Sequence, residues 1–160
     1  MMRLFLISKV LAVLIILYGL ILTGEAHAQL SAVEDSALSF GTFSFVSMYD
    51  PVVITVDTAN NVSSNSNVVV LSAPQRGEYT LTGGTPNAAF SITTPPSVTI
   101  SNGPSGEFTI DDFTISPSTS SFDGFGEARI TVGARLQSSG GGTQYANGTY
   151  PGTLTITVSY

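Results

Sequence analysis

From Ala37 to Tyr160 apolar side chains recur at every second position, and no segment shows the three-to-four spacing of a helix face. The first run, "ALSFGTFSF" at Ala37 to Phe45, places Leu38 and Phe40 on one face. Its phase shifts at Gly41 to Phe43 and Phe45, as a bulge or strand bend requires. Val52, Ile54 and Val56 continue the alternation after the turn-like Asp50-Pro51 pair. "TANNVSSNSN" reads as a loop, and "VVVLS" after it reads as a strand buried on both faces. Tyr79 and Leu81, then Phe90 and Ile92, mark two more strands, the second stopping at Pro95-Pro96. Val98 and Ile100 join Phe108 and Ile110 through "SNGPSG", a hairpin loop with Asn-Gly. "SPSTSSFDGFGE" is a further loop, and Ile130, Val132, Ala134 and Leu136 then share one face of a long strand. About nine strands at this spacing predict an all-β, immunoglobulin-like antiparallel β-sandwich, and the absence of helical segments excludes an α/β fold.

The last stretch, "GTYPGTLTITVSY", alternates most strictly, with Leu154, Ile156, Val158 and Tyr160 on one face. Burying each such side chain contributes about 1.5 to 3 kcal/mol. Four together rival the roughly 5 to 15 kcal/mol net stability of a domain, so this face is expected to be core and its truncation to unfold the protein.

The amino terminus stands outside this pattern. Arg3 and Lys9 flank an apolar run from Val10 to Leu22, followed by the small-x-small site Ala26-His27-Ala28. The run is short for a membrane span, so residues 1–28 read as a cleaved signal peptide of an exported protein, and residues 29–160 as one domain. An uncleaved anchor helix would need the run to reach back through Lys9. Export places the domain in the periplasm, at the cell surface or outside the cell.

Removing that segment removes the single histidine and the single lysine, and the chain has no cysteine or tryptophan. Arg76, Arg129 and Arg135 are the remaining basic side chains in a clearly acidic domain. That balance argues against nucleic-acid binding and against docking on anionic lipid. Without cysteine, stability comes from packing and strand pairing. Without His or Lys, a nucleophilic hydrolase lacks its general base. Asp111-Asp112 is the tempting carboxylate pair for glycoside chemistry, but if the stretch is a strand its neighbours point to opposite faces and cannot flank one bond. Asp111, Asp112, Asp123 and Glu127 lack the spacing of a calcium loop, and no cofactor or metal is implied. The sequons at Asn61 and Asn147 are ordinary for a chain rich in Asn, Ser and Thr. Tyr145 and Tyr150, in or beside the glycine-rich loop, are candidate glycan contacts because an exposed ring stacks on a sugar face; packing under the sandwich edge is the competing role.

"LSFGTF" at Leu38, "VVITVD" at Val52, "YTLTGGTPNAAFSIT" at Tyr79, "ARITVGARL" at Ala128 and the closing "GTYPGTLTITVSY" resemble, in order, the landmarks of a bacterial secreted family. That family is catalogued as a domain of unknown function and is related to spore coat protein U and, distantly, to chaperone-usher pilins. The resemblance implies a pilin-like sandwich and a non-enzymatic structural role in surface assembly or adhesion, as a fimbrial or coat-like subunit. It also implies a chaperone or neighbouring subunit that adds a β-strand to the domain. Gly148 and Tyr160 match the glycine and tyrosine that pilins carry twelve residues apart near the carboxyl end, which makes them candidate assembly residues. Two features depart from these relatives. "QLSAVEDS" lacks the long alternation of a donor arm, which leaves a tip subunit, a non-polymerising relative or a chain outside the pilins as readings, and the coat proteins' cysteines are absent. A self-contained carbohydrate-binding module is the alternative function.

Overall fold

The computed structural model describes residues 30–104 and 106–160, and the export segment expected over residues 1–28 lies outside them. Twelve strands and no helix are found among the described residues. In chain order they are β1 (Ser31–Ser36), β2 (Phe43–Phe45), β3 (Val53–Val56), β4 (Val62–Ser64), β5 (Val68–Val70) and β6 (Gly77–Thr82). There follow β7 (Ala89–Thr93), β8 (Ser97–Ile100), β9 (Phe108–Ser116), β10 (Thr119–Ser121), β11 (Ala128–Ser138) and β12 (Thr157–Ser159). All pairings are antiparallel.

β11 organises the larger, seven-stranded sheet. One edge of β11 is taken by β9 from Thr131 to Ser138. The other edge is shared: β6 pairs with Ala128–Val132, and β3 pairs with Ala134–Gln137. The handover falls at Gly133, which is glycine because a Cβ there would sit 2.5 Å from the Val56 carbonyl oxygen and 2.7 Å from Thr114 Oγ1. The corner where β3 leaves and β6 arrives is tied by polar side chains. Asp57 Oδ1 accepts from the backbone N–H of Ala59 and Asn61, each at 2.8 Å, while Asp57 Oδ2 accepts from Asn61 Nδ2 at 2.7 Å. Arg76 Nη1 donates to the Thr58 carbonyl at 2.7 Å and its guanidinium pairs with Glu78.

Opposite this sheet lie two smaller ones, β10-β7-β12 and β2-β5. Each covers one half of the inner face. Leu81, Phe90, Ile92, Phe122 and Ile130 pack under the first. Val52, Ile54, Val56, Phe108, Ala134 and Leu136 belong to the cluster under the second. The chain crosses between sheets after β4, where Asn65 Nδ2 and Asn67 Nδ2 both donate to the Pro51 carbonyl, at 2.8 and 3.0 Å. The one buried polar side chain among the described residues, Ser138, is satisfied by Val52, whose N–H donates to its hydroxyl at 2.8 Å.

The all-β antiparallel class follows the alternation, and the inward faces of β3, β6, β7, β8 and β11 are the predicted ones. Several expectations are corrected. Ser31–Ser36 is a strand although it has no apolar face, because it is held by the β6 edge. "VVVLS" is not buried on both faces: Val69 and Leu71 point outward from a two-stranded ribbon. The loop "SPSTSSFDGFGE" contains β10 and the fully buried Phe122. The phase shift at Gly41 is present, with φ +67° and a would-be Cβ 2.2 Å from the Ser72 carbonyl oxygen. Adjacent Asp111 and Asp112 do not point apart. A bulge opposite Gly133–Arg135, with Asp112 at φ 48°, turns both carboxylates to Arg135, at 2.9 and 2.7 Å. The same bulge changes the inward set of β9 from Phe108 and Ile110 to Phe113 and Ile115.

Replacing Gly133 by Ala forces backbone apart at the handover, and the expected loss is about 1 to 3 kcal/mol in urea unfolding. The Asn61 amide, and next its backbone N–H, hold the Asp57 carboxyl below the usual carboxylate range. The stabilisation is therefore present above the ordinary carboxylate pKa and disappears as pH falls through the depressed value. Asp57→Asn is expected to flatten the acid limb of the unfolding midpoint plotted against pH.

Candidate functional site

The two small sheets do not meet. Between β2 and the segment leading into β12 runs a groove of about 690 Å³. Its floor is the inner face of the large sheet, with Val98, Ile100, Ile110, Phe113 and Leu136. Leu38, Phe43 and Phe45 line one wall, and Tyr150, Gly152 and Leu154 the other.

Hydrogen-bond alternation shows which backbone groups face the gap. Leu71 N donates to Thr42 O at 2.7 Å and Val46 N to Asn67 O at 2.9 Å. Thr42, Ser44 and Val46 thus spend their backbone groups on β5, and those of Phe43 and Phe45 point to the groove. On β7, Ile92 N donates to Ser118 O, so Ser91 and Thr93 face β12 and bond with Ser159 and Thr157. The backbone groups of Ile156 and Val158 consequently point away from β7, toward the gap. Among the described residues the β2 edge borders the apolar floor without a strand partner, and the β12 edge beyond Leu154 likewise has none.

One end of the groove is an aromatic cluster. The Tyr145 ring lies 4.9 Å from Phe45 and 4.7 Å from Phe108, and Tyr150 meets Phe108 edge-on at 4.8 Å. The Tyr145 hydroxyl accepts from Ser139 N at 3.0 Å and contacts Ser139 Oγ at 3.1 Å. The Tyr150 hydroxyl donates to Ala146 O at 2.8 Å. Both rings are packed and both hydroxyls engaged, so these tyrosines are walls of the groove. Deeper in, burial, and next the Glu34 carboxylate, push the Tyr79 hydroxyl pKa up.

Gly148 also lines the groove, with φ +135° and a would-be Cβ 2.7 Å from Asn102 Nδ2. Tyr160 lies elsewhere, edge-on to Phe122 at 5.7 Å under the β10-β7-β12 sheet. The terminal face expected to be core is corrected in degree: Leu154, Ile156 and Val158 point inward but are half-buried, and Tyr160 remains 57% exposed. The reason is that β12 is the edge of its sheet, with a strand partner on one side only among the described residues. Among the described residues no group of acidic or histidine side chains is arranged to hold a metal ion. Sequence reasoning did not identify Phe43, Phe45 and Phe108 as site residues; the phase break at Gly41 was the available signal.

These features define an antiparallel all-β protein whose second layer is interrupted by an open, apolar groove. The chain belongs to the family described as Domain of unknown function (DUF4402), whose model matches residues 30–160. No curated protein and no solved structure matches it.

Tyr145→Phe leaves Ser139 N without its partner, while Ser139 Oγ keeps Thr143 Oγ1 at 3.2 Å and the ring stack is retained. The expected cost is about 0.5 to 1.5 kcal/mol in chemical denaturation, and Tyr145→Ala is expected to cost about 3 kcal/mol or more through the lost packing.

Proposed function

We propose that the protein is an exported, non-enzymatic structural subunit of the bacterial surface or periplasm, with an immunoglobulin-like, pilin-like sandwich that receives a β-strand from an assembly chaperone or a neighbouring subunit. The observation that carries this reading is the groove between β2 and the segment leading into β12: the backbone groups of Phe43 and Phe45 point into it over an apolar floor, and just beyond Leu154 those of Ile156 and Val158 point off the free edge of β12. A strand laid there gains main-chain hydrogen bonds on both sides and seats alternate side chains on Ile100, Ile110 and Leu136. It would also join β5-β2 to β12-β7-β10 as one layer. The acidic, cysteine-free domain and the signal-like amino terminus suit such a role outside the cytoplasm. The resemblance to coat and pilin proteins supports surface assembly or adhesion. The carbohydrate-binding reading has less support, because Tyr145 and Tyr150 spend their rings and hydroxyls internally.

Synthetic peptides with Val, Ile or Leu at every second position test this. Binding at about one hundred times Kd stabilises by about 2.7 kcal/mol, which raises Tm by about 2–4 °C per kcal/mol for a chain of this size. A peptide of the same composition with its alternation scrambled is expected to leave Tm unchanged. Equal response to both peptides, or to neither, refutes strand addition.

A further inference from the structure

The β2-β5 ribbon has a second edge, on the side away from the groove. Asn67, Val69 and Leu71 direct their backbone groups at β2, so those of Val68 and Val70 point off the outer edge of β5, which has no strand partner among the described residues. The outward face beside this edge is apolar: Val46, Val69 and Leu71 are 63%, 51% and 65% exposed and adjoin across the ribbon. Thr42–Ser47 and Asn65–Ala73 contain no charged residue and no proline, in a chain of net charge −6.

Exposed sheet edges are ordinarily guarded against pairing by charges, prolines or bulges. The short β4 edge is also uncharged but carries a single exposed large apolar side chain, Val62, whereas three other edges have such guards: Glu34 and Asp35 on β1, Pro95 and Pro96 before β8, and Pro117 before β10. The β5 edge has none. Two copies of an acidic chain repel wherever their carboxylates face each other, and an uncharged edge removes that repulsion.

We infer that β5 is a self-association edge, pairing antiparallel with β5 of a second copy about a two-fold axis at Val69. The edge is self-complementary in this register. Val68 of each copy exchanges hydrogen bonds with the other copy's Val70, about four in all, and the two Val69 side chains meet on the outer face in a closely spaced pair. Leu71 of each copy covers Asn67 of the other, and the two apolar patches join. This contact uses the edge opposite the groove, so it leaves strand addition unobstructed and is tested separately from it.

The purified protein is expected to show a concentration-dependent monomer–dimer equilibrium in sedimentation velocity. Val69→Lys, which sets two like charges at the axis, is expected to leave a monomer whose unfolding midpoint equals that of the wild type measured at dilutions where the wild type is monomeric. Because the chain has no cysteine, Val69→Cys gives a clean second measurement: mild oxidation is expected to yield a covalent dimer much faster than for Thr119→Cys on the exposed β10 strand. A wild-type monomer at millimolar concentration, association unaffected by Val69→Lys, or cross-linking at Val69 no faster than at Thr119 overturns the proposal. None of these results bears on peptide binding in the groove.

Discussion

The rest of the fold depends on one close approach, that of the Val56 carbonyl to Gly133 in the middle of β11. One strand can serve two successive neighbours on the same edge only where both can reach it without a side chain between them. β3 supplies Val56 and β6 supplies Gly77 at that point, and Gly133 between them is what lets the Val56 carbonyl come close. On the other edge of β11 the bulge in β9 takes up the mismatch, and Arg135 pairs with both carboxylates that the bulge brings together. The division also runs through the interior. Ala134 and Leu136 belong to the cluster under the β2-β5 ribbon, and Ile130 to the cluster under the β10-β7-β12 sheet.

Much of the large sheet was legible from alternation, because each of its central strands buries one face against a continuous core. β11 is the clearest case, with Ile130, Val132, Ala134 and Leu136 all essentially inaccessible to water. Strands that exist because a neighbour offers hydrogen bonds leave no such trace. β1, β4 and β10 are exposed along their length and compositionally resemble loops. Phe122 was hidden for a related reason: it sits alone among Ser, Asp and Gly, and its partners Phe90 and Tyr160 lie far from it in sequence.

The groove was less legible than the fold. Its two walls are separated by about a hundred residues, and what defines it is the strand missing between them. Tyr145 and Tyr150 were candidates as loop aromatics and Gly148 through the resemblance to pilins, and all three border the groove. Their environment was not readable, because Phe45 and Phe108 come to Tyr145 through long-range topology. Tyr160, paired with Gly148 through the resemblance to pilins, lies away from the groove, edge-on to Phe122 and 57% exposed.

The split second layer also sets how the molecule fluctuates. A sheet continuous across the domain would open and close as one cooperative unit. Here the β2-β5 ribbon and the β10-β7-β12 sheet share no hydrogen bond, and each rests on its own half of β11. Amide protons of the ribbon can therefore exchange through a partial opening that leaves Phe90, Phe122 and Ile130 packed. A strand bound in the groove would merge the two units, so its occupancy would be written into the exchange rates of residues it never touches.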